Sequence, residues 1–362
     1  MTKRMYGTSA LCLLMIVVVG AGCARHRVHT QRPGPFVTIT FVGDTGEGDQ
    51  AQDFVKQYGL RKSFENVRAA LKNTDFLVGN GETPIADENV PPLPGQPWHP
   101  KQTPEVAKVY AEEGFTAFNL ANNHCLDWGV TGLQQTIKYL TDAGIKTFGA
   151  GMTEADARRP LILSKNGVKV GVLGYFDKQK KYDELGMWYA SGDQPGVALL
   201  SEANLRDDVA KLKTQVDVVV IFPHWGANYH AVTKGQQSLA RRIAATGANL
   251  VVGSHSHTAQ PVEVVDRVPV LYSLGNFIWH SVGLYRQSKM EDFAYTLVAR
   301  IEIDRQGVRR ILLTPFWSDN RQVKFVSQPA TSSQAKKLFN VILKPLNNDW
   351  DLENQTAVID LQ

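Results

Sequence analysis

Apolar runs of β-strand length alternate with helix-like stretches along most of the chain, and five of these runs end directly in residue types that bind metal ions. The apolar run over 249–252 leads into a turn that carries His255 and His257, two residues apart. The other four ends carry Asp44, Asn80 with Glu82, Asn123 with His124, and His224. Because open α/β sheets bind ligands at the carboxyl ends of their strands, we expect these side chains to converge.

The same alternation predicts the fold class. Helix-like patterns lie near 52–72, 104–113, 130–143, 203–215 and 234–247, each between β-type runs. Strands that alternate with helices at this spacing indicate a layered α/β fold. The dipeptide Asn166-Gly167 between two β-rich arms predicts a hairpin, and the later strands favour antiparallel pairing. A sandwich of two sheets with helices outside fits this pattern better than a single doubly wound sheet.

The N-terminus has the pattern of an export signal. Two basic residues precede an apolar run over 10–19, and three small residues then lead to Cys23. A cysteine directly after small residues resembles a bacterial lipobox, although Gly20 stands where Leu or Val is favoured. We therefore expect lipid on Cys23 and an exported, membrane-anchored lipoprotein that faces the periplasm or the cell surface. The alternatives are an ordinary signal peptide and a short membrane anchor.

The predicted segments follow from this start and from the composition. With 362 residues and 43% hydrophobic content, the chain is long enough for one large globular domain or two smaller ones. The expected boundaries are a lipoprotein-type signal peptide over 1–23, a tether over 24–35, a globular domain over 36–325 and a C-terminal extension over 326–362. A net charge of +4, without a basic patch interleaved with aromatic residues, predicts no nucleic-acid partner.

The cysteines predict no disulfide framework. Cys12 lies in the apolar run, Cys23 is the expected lipid site, and Cys125 is left without a partner. Neighbouring side chains on an extended segment point to opposite faces, so Cys125 and His124 are not expected to act together. We expect Cys125 to be a small buried residue, with a nucleophile as the less favoured interpretation.

The proline-rich segment over 83–103 follows Glu82 directly. Long irregular stretches in compact domains are functional loops or plain surface. Since this one leaves the strand that carries a candidate ligand, we favour a loop over the site.

The residues at the strand ends have the ligand chemistry of a catalytic metal centre. Imidazole nitrogen with carboxylate or amide oxygen, without thiolate, is typical of such centres. The candidate ligands are Asp44, Glu82, Asn123, His224, His255 and His257. We expect one or two divalent transition-metal ions, with manganese, iron and zinc as candidates. Such an ion lowers the pKa of a bound water molecule and polarises a substrate oxygen. Each residue also has a structural alternative, such as a turn aspartate, a helix cap or a packed core histidine.

His124 is a candidate catalytic residue beside this set. If Asn123 binds the ion, His124 is free to act as a general acid or to contact a developing oxyanion. Asp127, three residues later, can hold the imidazole in one tautomer.

Taken in order, these motifs resemble the CapA/PgsA family of capsule and poly-γ-glutamate biosynthesis proteins, which have a calcineurin-like metallophosphatase fold. The resemblance runs from about residue 37 to residue 277. Its blocks are VGD (Asp44), GNGETPI (Asn80, Glu82), NLANNHCLDWG (Asn122, Asn123, His124, Asp127), FPHWGANY (His224, Asn228, Tyr229), GSHSHTAQPVE (His255, His257, Glu263) and YSLGNF (Asn276). The resemblance implies a four-layer α/β/β/α sandwich. It also implies contacts to substrate or to the metal ligands from Asn80, Asn122, Asn228, Tyr229, Glu263 and Asn276.

The chain departs from the family and superfamily patterns at three places. Asn228 replaces a glutamate, and Ser254 and Ser256 stand in GSHSH where GHHPH is more usual. Gly46 replaces the histidine that the broader metallophosphatase pattern has two residues after Asp44. The last change weakens one metal position and implies a single firmly held ion or a second ion held lightly.

The resemblance implies an exported CapA-like protein that acts in synthesis, export or surface attachment of poly-γ-glutamate or another capsular polymer, through a metal-dependent hydrolase-type site. The implied partners are an anionic polymer or a phosphoester substrate, the membrane through the lipid anchor, and capsule-synthase membrane proteins. One alternative is a non-catalytic module that binds polymer or proteins. Another is a general exported metallophosphoesterase. A non-catalytic module would bind polymer without turnover, which distinguishes it from an enzyme. A general phosphoesterase would differ from a capsule enzyme only in its substrate.

Overall fold

The computed structural model describes residues 34–94 and 98–361. The predicted signal peptide with Cys23, and most of the predicted tether, lie outside the described residues. Within the described ranges no helix combines the length and the apolar character that a bilayer-spanning segment needs.

The strands of the described residues are numbered in chain order. They are β1 Val37–Gly46, β2 Phe76–Gly81, β3 Ala117–Asn119, β4 Lys146–Phe148, β5 Ala150–Gly151, β6 Leu161–Lys165, β7 Val168–Asp177, β8 Gly196–Val197, β9 Leu199–Leu200, β10 Val218–His224, β11 Leu250–Val252, β12 Val262–Val265, β13 Val268–Leu271, β14 Asn276–Trp279, β15 Tyr295–Asp304, β16 Gly307–Trp317, β17 Gln328–Pro329, β18 Asp351–Glu353 and β19 Thr356–Asp360.

The helices of the same residues surround these strands. They are α1 Gln52–Tyr58, α2 Arg68–Leu71, α3 Glu105–Glu112, α4 Gly129–Asp142, α5 Glu154–Ala157, α6 Lys180–Glu184, α7 Glu202–Leu212, α8 Lys234–Ala245, α9 Asn320–Val323 and α10 Ser332–Ile342. Short 3₁₀ turns lie at Asp49–Ala51, Leu60–Phe64, Glu291–Phe293 and Lys344–Leu346.

Two large sheets organise the domain. The first has the order β18-β19-β16-β15-β1-β2-β3-β4, with β14 beside β1 and β17 beside β16. The second has the order β12-β13-β11-β10-β7-β6, with β9 beside β7. Strands β1 to β4 are parallel to one another, and so are β7, β10, β11 and β13. The carboxyl ends of each parallel set therefore share one edge of their sheet.

The two sheets face each other across one apolar core, and helices cover their outer faces. Phe41 of the first sheet and Phe222 of the second meet in this core with ring centroids 5.8 Å apart. On the outer face of the first sheet, Leu77 packs with residues of α3 and α4. On the outer face of the second sheet, Ile221 packs with residues of α7 and α8. Strand side chains alternate between faces, so each strand supplies both layers. The four-layer α/β/β/α sandwich is confirmed.

Local sequence patterns predicted a hairpin turn correctly but did not predict the interruption of a helix. Asn166 and Gly167 form the predicted hairpin turn between β6 and β7, both with positive φ (54° and 75°). The predicted helix over 52–72 is instead three short pieces, because Gly59 adopts φ 73° directly after α1. With ψ 153°, this backbone conformation lies outside the helical region and is open mainly to glycine, so the helix ends there.

The residues expected to form a C-terminal extension belong to the same sheet and core. Strand β19 pairs antiparallel with β16, and Ala357 and Ile359 are buried. Helix α10 starts at a capping box of Thr331 and Gln334 and buries Phe339 in the core between the sheets. The boundary expected at residue 326 therefore does not separate this segment from the domain: its polar average composition conceals one apolar face on α10 and an alternating strand in β19.

Candidate metal centre

Strand β1 presents Asp44 through a bulge. The pairing of β1 with β2 shifts register between Val42 and Asp44, and Asp44 then lies opposite Asn80 on β2. A Cβ atom on Gly43, the residue within the shift, would lie 1.9 Å from the carbonyl oxygen of Gly275. Only glycine fits this approach, and the bulge re-aims the side chain that follows. Asp44 is fully buried.

Asn80 holds two carboxylates together. Its Nδ2 donates to Asp44 Oδ1 at 2.9 Å and to Glu82 Oε2 at 3.3 Å. Of the remaining oxygens, Glu82 Oε1 is buried without a hydrogen bond among the described residues, and Asp44 Oδ2 is buried 3.1 Å from Nδ1 of His257. Asn80 Oδ1 is also buried without a hydrogen bond among the described residues. Buried acceptors in native proteins are normally satisfied, so the unpartnered oxygens of Glu82 and Asn80 indicate room for a cation in this cluster.

His224, at the end of β10, faces these oxygens from the second sheet. Its Nδ1 lies 3.0 Å from Ser254 Oγ, which fixes the ring. Its Nε2 lies 2.7 Å from Asn123 Oδ1 and 3.6 Å from Glu82 Oε1. One imidazole nitrogen is thus held from behind while the other meets two oxygen ligands, as is usual for a metal-binding histidine.

The turn after β11 carries its two histidines in strained backbone conformations. His255 has φ 92° and His257 has φ 56°, values that non-glycine residues seldom adopt. The backbone N–H of His255 donates to Asp44 Oδ1 at 3.3 Å, which ties the turn to β1. The His255 Nδ1 atom is buried without a hydrogen-bond partner among the described residues.

His257 is fixed by a network around its ring. Its Nδ1 lies 2.8 Å from Asn276 Oδ1 and 3.1 Å from Asp44 Oδ2, and its Nε2 lies 3.7 Å from Glu82 Oε1. The hydroxyl of Tyr285 donates to the backbone oxygen of His257 at 2.8 Å and accepts from Asn276 Nδ2 at 2.8 Å. The rings of Tyr229 and Trp279 stack on the imidazole, with centroids 5.1 and 5.0 Å away. These hydrogen bonds and ring contacts together fix the position of the His257 imidazole.

The ligand atoms form two groups that share Glu82. One group is Glu82, His224 and His255, and the other is Asp44, Glu82 and His257; within each group the ligand atoms lie within 4.8 Å of one another. Asn123 Oδ1 adds a fourth candidate ligand atom, an amide oxygen, beside the first group. Two carboxylates, an amide and three imidazoles, with buried unpartnered oxygens between them, suit divalent metal binding. The candidate ligands predicted from the sequence all come together here.

The electrostatics agree with a missing positive charge. Burial and then the neighbouring carboxylate of Asp44 raise the pKa of Glu82 well above its ordinary value. Burial lowers the pKa of His255 to about 3 and places that of His224 well below its usual range. Burial acts to raise the pKa of Asp44, but the contacts with His257 outweigh it and the net shift is downward. The lowered pKa values keep His224 and His255 neutral, as metal-binding imidazoles must be.

His124 and Asp127 form the predicted pair beside the ligands. His124 Nδ1 lies 2.6 Å from Asp127 Oδ2, and the histidine side chain is 12% exposed whereas the aspartate is fully buried. Asn122 accepts a hydrogen bond from the backbone N–H of His124 at 3.0 Å and donates to the oxygen of Gly81 at 2.8 Å. Burial raises the pKa of Asp127, and the adjacent His124 opposes this shift.

The proline-rich segment covers this pair. The backbone N–H of Leu93 donates to the oxygen of Asp127 at 2.7 Å, and Trp98 places its ring edge-on to His124 with centroids 5.2 Å apart. The indole N–H of Trp128 donates to the oxygen of Pro100 at 2.9 Å. The described parts of this segment thus lie over the site, as expected.

Two residues singled out by the resemblance are not brought into the ligand group. Asn228 is exposed, and its backbone oxygen lies 2.6 Å from His230 Nδ1. Glu263 lies on β12, where its carboxylate accepts a hydrogen bond from Tyr272 at 2.5 Å.

Gly46 lies against Thr83: a Cβ atom at Gly46 would lie 2.2 Å from Thr83 Oγ1. A side chain at this position is excluded, so the group of Asp44, Glu82 and His257 has no fourth ligand from there.

Several contacting residues were not predicted as part of the site. Ser254 orients His224, Tyr285 orients His257, Trp98 and Trp279 flank His124, and the Gln179 side chain lies 3.2 Å from His255 Nε2. The proximity of Ser254 to the site could have been predicted from the sequence, since it precedes His255 in the same turn. Trp279 ends β14, and the others reach the site from loops whose paths a single sequence does not specify.

The family to which the chain belongs emerges from comparisons with known proteins. The chain is 26% identical to the PGA biosynthesis protein CapA of Bacillus subtilis (strain 168) over 351 residues, which cover 96% of this chain and 89% of that protein. It is 33% identical to the capsule biosynthesis protein CapA of Bacillus anthracis over 258 residues, 67% of this chain and 60% of that protein.

Among solved structures, a calcineurin-like phosphoesterase YfkN from Bacillus subtilis aligns with a TM-score of 0.48 and 16% identity, covering 87% of this chain and 100% of that chain. The profile of the family described as bacterial capsule synthesis protein PGA_cap matches residues 38–281, which include the ligand set and the His124–Asp127 pair. The chain belongs to the bacterial capsule synthesis protein family PGA_cap.

Proposed function

We propose that this protein is an exported, lipid-anchored metal-dependent hydrolase that acts on a phosphoester or a polymer linkage during synthesis, export or surface attachment of poly-γ-glutamate. Family membership and the named relatives support the capsule assignment. The observation that carries the hydrolase assignment is the buried pair of carboxylates, Asp44 and Glu82, which face three imidazoles and leave Glu82 Oε1 without a hydrogen bond among the described residues.

A divalent ion held by Asp44, Glu82, Asn123, His224, His255 and His257 would lower the pKa of a bound water molecule and polarise a substrate oxygen. The surrounding residues keep these ligands in place. Asn80 fixes the two carboxylates, Ser254 fixes His224, and Asn276 fixes His257. Such supporting contacts orient ligands and raise their basicity.

His124 is the residue we assign to proton transfer. Asp127 accepts from Nδ1, so the ring keeps its proton there and directs Nε2 away from the carboxylate. A proton on Nε2 would pass to the leaving oxygen of the substrate as its bond breaks. Trp98 and Trp279 flank the ring and limit the access of water.

A second candidate function is a non-catalytic module that binds anionic polymer or capsule-synthase membrane proteins. One observation favours it: the six ligand side chains are at most 4% exposed, so the centre as described is closed to a large substrate. In this case the ion would stabilise the fold, and binding would occur without turnover.

The experiment that separates these functions uses the full chain, purified in detergent. Metal content is measured by plasma mass spectrometry, and turnover is measured on a chromogenic phosphodiester and on poly-γ-glutamate before and after chelation. The hydrolase proposal expects metal-dependent turnover that His124→Asn removes while bound metal remains. Polymer binding without turnover in the loaded protein would favour the binding module, and turnover of phosphoesters alone would favour a general phosphoesterase.

Export and lipid attachment at Cys23 have their own test. Cell fractionation and mass spectrometry of the N-terminal peptide are compared between the natural chain and Cys23→Ser. We expect a membrane-bound, acylated protein in the first case and an unacylated one in the second. An unmodified Cys23 in a protein that still fractionates with membranes would favour an uncleaved anchor.

A further inference from the structure

Gln179 reaches the candidate metal centre from the loop that follows β7. Its side-chain Nε2 lies 3.2 Å from Nε2 of His255, and the residue is half-buried. The rings of Phe176 and His224 border His255, with centroids 6.4 and 4.4 Å away, and Glu82 belongs to the same group of candidate ligands. The Gln179 amide is thus a polar group within hydrogen-bonding distance of Nε2 of this ring.

The backbone of Gln179 is anchored on both sides. Its N–H donates to the hydroxyl oxygen of Tyr189 at 2.9 Å, and that hydroxyl donates to the oxygen of Asp177 at 3.0 Å. The oxygen of Gln179 accepts from the N–H groups of Tyr182 and Asp183 at 3.0 Å each. The side chain therefore starts from a fixed point, and its contact with His255 does not depend on a free loop end.

The two nitrogens of His255 have different surroundings. Nδ1 is buried without a partner among the described residues, whereas Nε2 faces the Gln179 amide. A neutral imidazole has one proton, and the nitrogen that binds an ion must be the one without it. An ion at Nδ1 therefore requires a proton on Nε2 and an acceptor beyond it. Rotation of the Gln179 amide by half a turn exchanges its oxygen and nitrogen and supplies that acceptor.

We propose that Gln179 is a positioning residue that fixes His255 with its proton on Nε2, so that Nδ1 binds the ion held by Glu82 and His224. An amide can accept from Nε2–H in the loaded protein and donate to a bare Nε2 in the metal-free protein. The inference rests on the ion binding proposed above and is independent of the reaction. Partners of metal-bound histidines contribute about 10–100-fold to metal affinity.

The test measures zinc affinity by competition with a chromophoric chelator on the full chain and its variants. Gln179→Leu removes the hydrogen bond at similar volume, and we expect about 10–100-fold weaker binding. Gln179→Glu retains an acceptor and is expected to bind zinc at least as tightly as the natural chain. Gln215→Leu, at the opposite end of the strands after α7, is the matched control and should leave the affinity unchanged. Circular dichroism confirms that each variant is folded.

The ring nitrogens of His255 provide a readout that a merely structural role would not move. In ¹⁵N-detected histidine spectra of the zinc-loaded protein, we expect zinc on Nδ1 and a proton on Nε2. Equal zinc affinity in Gln179→Leu and the natural chain would overturn the inference, and so would zinc on Nε2. Gln179→Glu as weak as Gln179→Leu would also overturn it, since only filled space would then matter. A natural chain that takes up no zinc, manganese or iron would instead overturn the proposed function.

Discussion

The amide oxygen of Asn123 lies 2.7 Å from Nε2 of His224, while Ser254 Oγ lies 3.0 Å from the other nitrogen of the same ring. Asn123 comes from the first sheet and His224 from the second. Because Nε2 also faces Glu82 Oε1 at 3.6 Å, two oxygens converge on one imidazole nitrogen. An ion between them would satisfy all three atoms.

Substitution of Asn123 tests this geometry. Asn123→Leu keeps the volume and removes the oxygen, so we expect divalent-ion affinity to fall by about 10–100-fold. Asn123→Asp supplies a charged oxygen and should bind at least as tightly. Isothermal titration with manganese or zinc measures the change, and Asn228→Leu, at an exposed position, is the control. Unchanged affinity in Asn123→Leu would remove Asn123 from the ligand set.

Glu82→Gln should have opposite effects on stability with and without metal. Without metal, the buried Glu82 carboxylate lies near that of Asp44, and burial together with this neighbour raises its pKa above the ordinary value of 4.5. A raised carboxyl pKa means that the contribution of this group to stability is present below pH 4.5 and is lost as the pH rises. The metal-free variant should therefore be more stable than the metal-free natural chain at neutral pH, by about 1–3 kcal/mol.

With metal present, the order of stability should reverse. An ion at a concentration 100 times its dissociation constant adds about 2.7 kcal/mol to the free energy of unfolding of the natural chain. Urea unfolding of both proteins at pH 5 and pH 7.5, each with manganese and with chelator, measures the free energy of unfolding under all four conditions. If the natural chain is the more stable one under every condition, Glu82 is held by partners other than a metal.

His124→Asn and Asp127→Asn should separate catalysis from metal binding. We expect His124→Asn to reduce kcat by about 10²–10⁴-fold, the usual contribution of a general acid. Asp127→Asn removes the acceptor that fixes the ring and should lower kcat to a smaller extent. Metal content by mass spectrometry should remain that of the natural chain in both. Loss of metal together with activity would make this pair part of the ligand support instead.

Cys125 should be chemically inert in the folded protein. It is 6% exposed, and burial raises the pKa of its thiol. Thiolate is the reactive form, so iodoacetamide should modify Cys125 only after unfolding. Cys125→Ala should retain full turnover and metal content. Rapid labelling of the native protein, or loss of turnover in this variant, would restore Cys125 as a nucleophile.

The C-terminal strand should be required for stability. Ile359 on β19 is 3% exposed in the core between the sheets, whereas Leu352 on β18 is 37% exposed. Ile359→Ala is expected to lower the free energy of unfolding by about 2–4 kcal/mol through loss of packing. Leu352→Ala, the same kind of truncation at the surface, should cost under about 1 kcal/mol. Urea denaturation compares the two, and similar values would show that β19 is not part of the cooperative unit.

The architecture and the convergence of the candidate ligands could be predicted from the sequence because both depend on regular geometry. Strand periodicity predicts which faces are buried, and parallel strands bring their carboxyl ends to one edge, so Asp44 and His224 converge although 180 positions separate them. Short-range chemistry likewise predicts the turn at Asn166 and Gly167, where both residues adopt positive φ.

What could not be predicted depends on the path of irregular segments. Glu263 belongs to a matching motif, but β12 is an edge strand whose pairing with β13 directs this side chain to Tyr272. Gln179 and Trp98 come from loops and become neighbours of the ligands only when the domain is assembled. The role of Gly46 needed its distance from Thr83, which no local pattern encodes.

The division of the ligands between two sheets has a mechanical consequence. Asp44, Glu82 and Asn123 lie at or after strand ends of the first sheet and the three histidines at or after strand ends of the second, so a bound ion would tie the halves of the sandwich at one edge. A shear of one sheet over the other would change every cross-sheet ligand distance at once, and the ion would resist it. A bound ion would therefore make the packing between the sheets, including the contact between Phe41 and Phe222, harder to deform.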